Sequence, residues 1–369
     1  DIRLSPGKVR TVVSYLEDVN LSETNLDAKG QAFEKFITSY FRGNFGQFFT
    51  PRVVVKFIIR ALPIQSDWRV LDTSCGSGGF LLHALDKVRH AANDHFGANT
   101  LGAYKDWHEF ASKRLFGIEI NEKIARTAKM NMIIHDDGHT NVVAADGLRP
   151  IHEIADITGN HGFRDESFDC IITNPPFGSL IRQTEHAYTK LYGLSERGVD
   201  WLNPKSKVSQ RPGVPSEVLF IEQCWHFLSE GGYLAIVLPD GILTNASMQY
   251  VRDWIVEKFR MLAVVSLPQT TFMSTGAGVK SSVLFLRKRK HTQTAHLLGI
   301  KSSLQLSVAE NGRLNDRLRE IDLCRKSALK SLDARSEFAV LSPKERKANA
   351  AYRQEADEIV AEAEKATVA

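Results

Sequence analysis

The residues best equipped for chemistry stand together at Asn174-Pro175-Pro176-Phe177, directly after the apolar run Phe168-Asp169-Cys170-Ile171-Ile172-Thr173. Proline fixes φ and lacks an N–H, so two in succession hold the backbone extended and leave mainly acceptors facing a ligand. An amino group is a donor. The Asn174 side-chain oxygen and the Pro175 carbonyl can take its hydrogens, leaving the nitrogen lone pair directed at an electrophile. Phe177 adds an aromatic face on which a planar base can stack. A strand-ending turn capped by Asn and stiffened by prolines is the plain alternative. A costly rigid turn at the ligand edge of a sheet favours the chemical reading.

A second constellation lies upstream, where Val70-Leu71-Asp72-Thr73-Ser74-Cys75-Gly76-Ser77-Gly78-Gly79-Phe80 runs from an apolar strand through a glycine-rich turn into a helix. No Lys-Ser or Lys-Thr follows the glycines, as a phosphate-binding loop requires, and Asp72 at the strand end suits a cationic amino group. Taken alone, such a turn serves a structural or dinucleotide role equally well. The next strand, Leu115-Phe116-Gly117-Ile118-Glu119, ends in a carboxylate suited to a ribose diol. The distance from Asp72 to Glu119 exceeds the roughly 20-residue spacing of a dinucleotide fold, which predicts an insertion near residues 86–112. Ala145-Asp146-Gly147 closes a third strand, where Asp146 could face an adenine amino group, although a surface turn is an equally ordinary home for Asp-Gly. Together with the acceptor corner, these residues predict S-adenosylmethionine as a methyl donor. Its sulfonium methyl is already activated, so the protein supplies positioning, and neither metal nor nucleophile is required. His135 and His139 are interrupted by Gly138, and no metal site is predicted there.

The elements that must position these residues are legible as alternating patterns. Seven strand candidates, Arg69 to Leu71, Leu115 to Glu119, Val142 to Ala145, Phe168 to Thr173, Tyr233 to Leu238, Leu262 to Leu267 and Ser282 to Leu286, are interleaved with amphipathic helical stretches. This predicts an α/β, Rossmann-like fold with a seven-stranded, mostly parallel sheet covered by helices on both faces, into which the methyl-donor reading of the strand-end residues fits. The last two strands are joined through Gln269 to Lys280 without a full helix pattern, which favours antiparallel pairing. Residues 1–45 form a helical lead-in, 46–290 the catalytic domain, and 291–369 a charged helical segment beginning near the basic cluster Arg287 to His291. In that segment Leu314, Leu318, Ile321, Ala328 and Leu332, and separately Tyr352, Ala356, Ile359 and Ala363, follow a heptad-like spacing. Either a coiled-coil hairpin or two solvated helices packed on their own domain satisfies it.

The 369 residues, 43% hydrophobic and 24% charged, can bury a large core, and no apolar run reaches the roughly 18 residues of a membrane span. The four cysteines form no Cys-x-x-Cys pair, and no secretory signal opens the chain, so a reducing cytoplasm is the expected location. A net charge of +4 is compatible with nucleic acid without arguing for it. Between residues 180 and 215, Arg182, Lys190, Arg197, Lys205, Lys207 and Arg211 stand with Tyr192 and Trp201, which suits an extruded base and its phosphates or simply a solvated loop.

These motifs resemble the modification (methylase) subunits of type I restriction-modification systems and their relatives among adenine-specific DNA methylases. The resemblance covers roughly residues 30 to 290. It rests on Gly46-Gln47-Phe48-Phe49-Thr50-Pro51-Arg52, Asp72 to Phe80, Gly117 to Asn121, Asn174 to Phe177, Leu238-Pro239-Asp240-Gly241, Leu267-Pro268-Gln269 and Gly276 to Leu286, in that order. It implies that Gln47, Phe48, Phe49, Thr50, Pro51 and Arg52 wrap the methionine part of S-adenosylmethionine. It also implies that Ser77, Gly78, Gly79 and Glu119 bind it from the sheet side, where the residue pattern adds Asp72, Cys75, Gly76 and Asp146 to the cofactor site, and that Asn174, Pro175, Pro176 and Phe177 hold the target adenine. Thr73 and Ser74 depart from the proline and alanine common in the family. DNA, a specificity subunit docking on the C-terminal helices, and a restriction subunit are the implied partners. The residues also admit methylation of a protein glutamine or an RNA base, or a non-catalytic scaffold of the same fold.

Overall fold

The computed structural model describes residues 5–18, 50–135, 141–182, 187–197, 208–273 and 278–368. Of the expected lead-in, helix α1 (Pro6–Leu16) is described, while Phe33, Phe36, Ile37 and Tyr40 lie outside the described residues. The chain divides into two compact units, one formed mainly by residues up to Thr294 and the other mainly by Ala295–Ala369.

In the first unit, seven strands form one sheet: β1 (Val70–Asp72), β2 (Leu115–Glu119), β3 (Asn141–Ala144), β4 (Phe168–Thr173), β9 (Leu228–Pro239), β10 (Phe259–Ser266) and β11 (Ser281–Lys288). Their order is β10-β11-β9-β4-β1-β2-β3. β3, β2, β1, β4 and β9 run parallel, and β11 pairs antiparallel with both β9 and β10. The remaining strands are short: β5 (Leu180–Arg182) pairs with β8 (Gly213–Pro215), and β6 (Glu196–Arg197) with β7 (Ser209–Gln210).

The central strands are buried on both faces because they supply apolar side chains at almost every position, whereas the edge strand β10 is largely exposed. On one face Val70, Leu115, Val142, Cys170, Ile172, Ala235, Val237, Val283 and Phe285 meet helices α2 (Arg52–Ala61), α3 (Gly79–Phe96), α4 (Leu101–Lys113) and α5 (Glu122–Ile134). The intervening residues, among them Leu71, Phe116, Ile118, Ile171, Leu234, Ile236 and Leu284, pack on the other face. There they meet α6 (Ile151–Thr158), α7 (Ser216–Phe227) and α9 (Gln249–Lys258), the short α8 (Gly241–Thr244) lying between the last two in sequence. This strict period of two is what sidedness in a sheet demands. Helix α4 accounts for the long interval between Asp72 and Glu119: it is an additional helix, capped by the Thr100 hydroxyl, packed beside α3.

In the second unit, α11 (Leu314–Asp333) packs against α14 (Ala350–Val368), with α12 (Ser336–Ala339) and α13 (Pro343–Ala348) between them in sequence. The turn has its own polar wiring. Asp333 accepts from the Tyr352 hydroxyl at 2.8 Å and pairs with Arg346 at 2.8 Å, Arg335 pairs with Glu355 at 2.7 Å, and buried Phe338 meets the Tyr352 ring edge-on. Preceding them, α10 (His291–Asn311) has no buried residue. Among the described residues, no helix is long and apolar enough to cross a membrane.

Candidate active site

Parallel strands in the order β4-β1-β2-β3 bring their carboxyl ends to one edge, so Asn174, Asp72, Glu119 and Asp146 fall in a row. With neighbouring strands ~4.8 Å apart, the row spans about 14 Å from Asn174 to Asp146.

At the centre, β1 ends in Asp72, which is buried and accepts from the Ser74 backbone N–H at 3.0 Å. Burial pushes its carboxyl up to about 7; the Ser74 N–H opposes the rise and the neighbouring Glu119 adds to it. The chain then turns through Gly76 (φ 52°) and Gly78 (φ 86°), left-handed positions that a side chain rarely adopts. A Cβ added at Gly76 or Gly79 would meet no protein atom within 4 Å, so the turn borders open space.

Contacts from the next strand fix the turn. The Cys75 N–H donates to the Ile118 carbonyl at 2.9 Å, and the Gly76 N–H to Glu119 Oε2 at 3.1 Å. Glu119 Oε1 accepts from the Asn121 N–H at 2.8 Å. Glu119 is therefore held in place by two backbone amides, one from each side. Burial, with the carboxylates of Asp72 and Glu119, pushes the Cys75 thiol up, which keeps it a neutral wall. Beneath the turn, buried Asn131 donates through Nδ2 to the carbonyl of buried Ser77 at 2.9 Å. Sequence reasoning missed Asn131. Its signal is a polar residue on the apolar stripe of α5 that Ile124, Ala128 and Met132 define.

Asp146 stands just beyond β3 and is already engaged. Oδ1 accepts from the Leu148 N–H at 3.0 Å and Oδ2 from the Tyr188 hydroxyl at 2.5 Å. Burial first, and then Asp146, pushes the Tyr188 phenol up. The adjoining backbone is clamped by Tyr192, whose hydroxyl donates to the Leu148 carbonyl at 2.6 Å, and by Gln223, whose Nε2 donates to the carbonyls of Gly147 and Arg149. The segment following the Asn-Pro-Pro-Phe turn thus reaches the far end of the row, which the sequence did not indicate.

The Asn-Pro-Pro-Phe corner is held by residues remote in sequence. The Ser216 hydroxyl donates to the Pro176 carbonyl at 2.7 Å, and buried Glu217 accepts the Gly178 N–H at 3.1 Å. Pro175 is buried and Pro176 exposed. Phe177 is half-buried, packed against the core face that carries α2 and α3. The Asn174 Nδ2 donates to Thr50 Oγ1 at 3.0 Å, whereas its Oδ1 is screened from solvent and has no hydrogen-bond partner among the described residues. A buried carbonyl oxygen without a donor is costly, and a donor ligand is its natural complement.

Of the upstream segment, Thr50 is brought to Asn174, the Pro51 carbonyl caps the first turn of α2, and Arg52 opens that helix. Gln47, Phe48 and Phe49 lie outside the described residues. In the basic stretch Arg197 donates to the Ser209 hydroxyl, and Arg211 lies over the Tyr250 ring at 3.9 Å while donating to the Glu196 carbonyl, so both brace the local fold. Lys190 is exposed. Trp201, Lys205, Lys207 and His139 lie outside the described residues, as does Gly276.

Comparisons with known proteins bear on this geometry. The EcoEI type I restriction enzyme methylase subunit of Escherichia coli is 25% identical over 291 residues, covering 77% of this chain and 51% of its own length. The chain spans about half the length of such curated relatives. A solved structure described as a modification subunit of a type I restriction enzyme from Vibrio vulnificus YJ016 aligns with a TM-score of 0.55 at 21% identity, covering 76% of this chain and 53% of its own. Another, described as a class I S-adenosylmethionine-dependent methyltransferase from Listeria monocytogenes, aligns with a TM-score of 0.57 at 15% identity, covering 79% and 77%. At these identities the likeness is one of fold, that of the class I methyltransferases. The model of the N-6 DNA Methylase family matches residues 24–367, and the chain belongs to that family.

Proposed function

We propose that this chain transfers the methyl group of S-adenosylmethionine to the exocyclic amino group of adenine in DNA, as the modification part of a type I-like restriction-modification system. The observation that carries the reading is the half-satisfied amide of Asn174, whose nitrogen is tied to Thr50 while its buried oxygen lacks a donor among the described residues. An adenine amino group supplies that donor. Accepting one of its hydrogens at Asn174, and the other at the Pro175 carbonyl, directs the nitrogen lone pair toward the neighbouring strand ends.

The residues along the edge fit the cofactor. Asp72 can receive its ammonium group, Glu119 its ribose, and Asp146 its adenine, while Cys75, Gly76, Ser77, Gly78 and Gly79 offer a close backbone approach beside open space. Thr50, Pro51 and Arg52, with Gln47, Phe48 and Phe49, complete the methionine end in this reading. When bound, S-adenosylmethionine supplies an activated methyl group; the chain binds, orients and shields it. Phe177 then serves as the stacking face for the extruded base.

Such an enzyme works in the cytoplasm, with DNA and a separate specificity subunit as partners, and a restriction subunit alongside. The helices of 291–369 are the proposed docking surface for the specificity subunit. Incubation with tritiated S-adenosylmethionine and duplex DNA tests the catalytic reading. Label in the macromolecular fraction should be released by nuclease and not by protease, and should co-migrate with N6-methyladenine; label released by protease instead refutes it.

A further inference from the structure

We propose that Thr50 is the positioning residue that sets which end of the Asn174 amide meets the target amine. This rests on the reading above, since it concerns how the amide is kept in its working orientation.

An amide has a donor end and an acceptor end of nearly the same shape. Turned end for end, Asn174 would present its NH2 to the target amino group, donor against donor, and the nitrogen lone pair would lose its direction. In the structure Nδ2 faces Thr50 Oγ1 at 3.0 Å, and Oδ1 is left for the substrate. Thr50 is well suited to hold that choice. It is β-branched, which restricts χ1, and it precedes Pro51, whose φ of −55° is fixed by its ring. The Pro51 carbonyl accepts the N–H groups of Val54 and Val55 at 2.9 and 3.1 Å, and both of those side chains are buried in the core. The oxygen facing Asn174 is therefore anchored to the scaffold by chain that lies 124 residues away in sequence.

A hydroxyl can donate or accept, so Thr50 alone would tolerate either amide orientation. Once its single proton is engaged, its oxygen can only accept, and Nδ2 must face it. The amino-acid carboxylate of the cofactor is an acceptor of the kind that would engage that proton. Cofactor occupancy then commits Oδ1 to the target, which favours cofactor binding before base capture.

The test compares Thr50→Val and Thr50→Ser with the wild type. In T50V, kcat at saturating cofactor should fall at least about tenfold, while the calorimetric Kd for S-adenosylhomocysteine changes less than about tenfold, and T50S should recover most of the loss. A loss confined to the cofactor KM, or a T50S enzyme as slow as T50V, overturns the inference. A second readout does not depend on turnover. With S-adenosylhomocysteine present, the Asn174 side-chain NH2 resonance, assigned by its absence in Asn174→Asp, should exchange with solvent about tenfold faster in T50V than in wild type. Equal exchange rates overturn the role of Thr50 whatever the fate of the methylation reading, and absent methyl transfer by the wild type defeats that reading without touching the exchange result.

Discussion

The two halves of the strand-end row are wired differently. On the proposed cofactor side, Asp72, Glu119 and Asp146 each accept a backbone N–H two residues further along the chain, from Ser74, Asn121 and Leu148. On the proposed target side, Asn174 leans on Thr50, and its turn leans on Ser216 and Glu217, across 124, 40 and 39 residues. Each carboxylate thus has one local bond set by the strand-to-turn geometry, to which Glu119 and Asp146 add the remote Gly76 N–H and Tyr188 hydroxyl, whereas the bonds that hold the corner all come from distant segments. The difference also shows in satisfaction. Among the described residues the three carboxylates all accept hydrogen bonds, while Asn174 Oδ1 is buried without a donor, as are Asn131 Oδ1 and the Ser74 hydroxyl beside the glycine turn. Physical chemistry allows such an atom where a ligand completes it.

Substitutions can break this contrast on one side at a time. The largest effect belongs to Asn174→Ala. Removing the acceptor should lower the rate of transfer by about 10²–10³-fold or more. Cofactor affinity, measured by calorimetry, should change by less than about threefold, because the carboxylates are wired independently.

Asp72→Asn is next and acts on the opposite side. Losing a charge-assisted bond worth ~1.5–3 kcal/mol should weaken S-adenosylmethionine about 10- to 100-fold near pH 8. The wild type should show a matching pH dependence. A carboxyl raised to about 7 is protonated below that pH, so cofactor affinity should fall as pH drops through about 7. The linkage to stability has the opposite sense. Raised from 3.8, the group favours folding fully only below its unfolded value, and that contribution is lost as pH rises through about 7. The cofactor-free Asp72→Asn protein should therefore gain thermal stability relative to wild type as pH increases, a trend that melting curves between about pH 5 and about pH 9 would check.

Glu217→Ala sharpens the target side. The Gly178 N–H, on an exposed residue, would lose its acceptor to water, at a cost of ~0.5–1.5 kcal/mol. Transfer should slow by about tenfold with cofactor Kd unchanged, a split visible in single-turnover rates against calorimetry. Asn131→Ala is the mildest, removing the support of the Ser77 carbonyl. Stability to urea should fall by ~1 kcal/mol and the cofactor KM should rise a few-fold, with kcat retained.

The same contrast explains what was legible in the sequence. The central strands declared themselves because strands buried on both faces read as near-continuous apolar runs, and the Cys170, Ile171, Ile172 run can serve no half-exposed strand. The insertion before Glu119 was readable from spacing alone, and α4 fills it. Within the row, Asp72 and Glu119 are adjacent to the glycine turn or to a strand end, so their placement follows from local pattern. The supports of the corner carry no such mark. Glu217 and Ser216 open a helix that begins 40 residues after Pro176, and nothing in a linear pattern says that this helix start faces the prolines. Tyr188 likewise reads as one aromatic residue in a basic stretch, yet its hydroxyl sits on Asp146. Non-local contacts of this kind are decided by docking, which propensity and periodicity do not encode.

The most direct test is a structure of the protein with duplex DNA and an unreactive cofactor analogue. The account predicts an extruded adenine whose amino nitrogen lies about 2.7–3.2 Å from Asn174 Oδ1, with Nδ2 still on Thr50. An adenine amino group bonded elsewhere, with the Asn174 oxygen still lacking a donor, would contradict it.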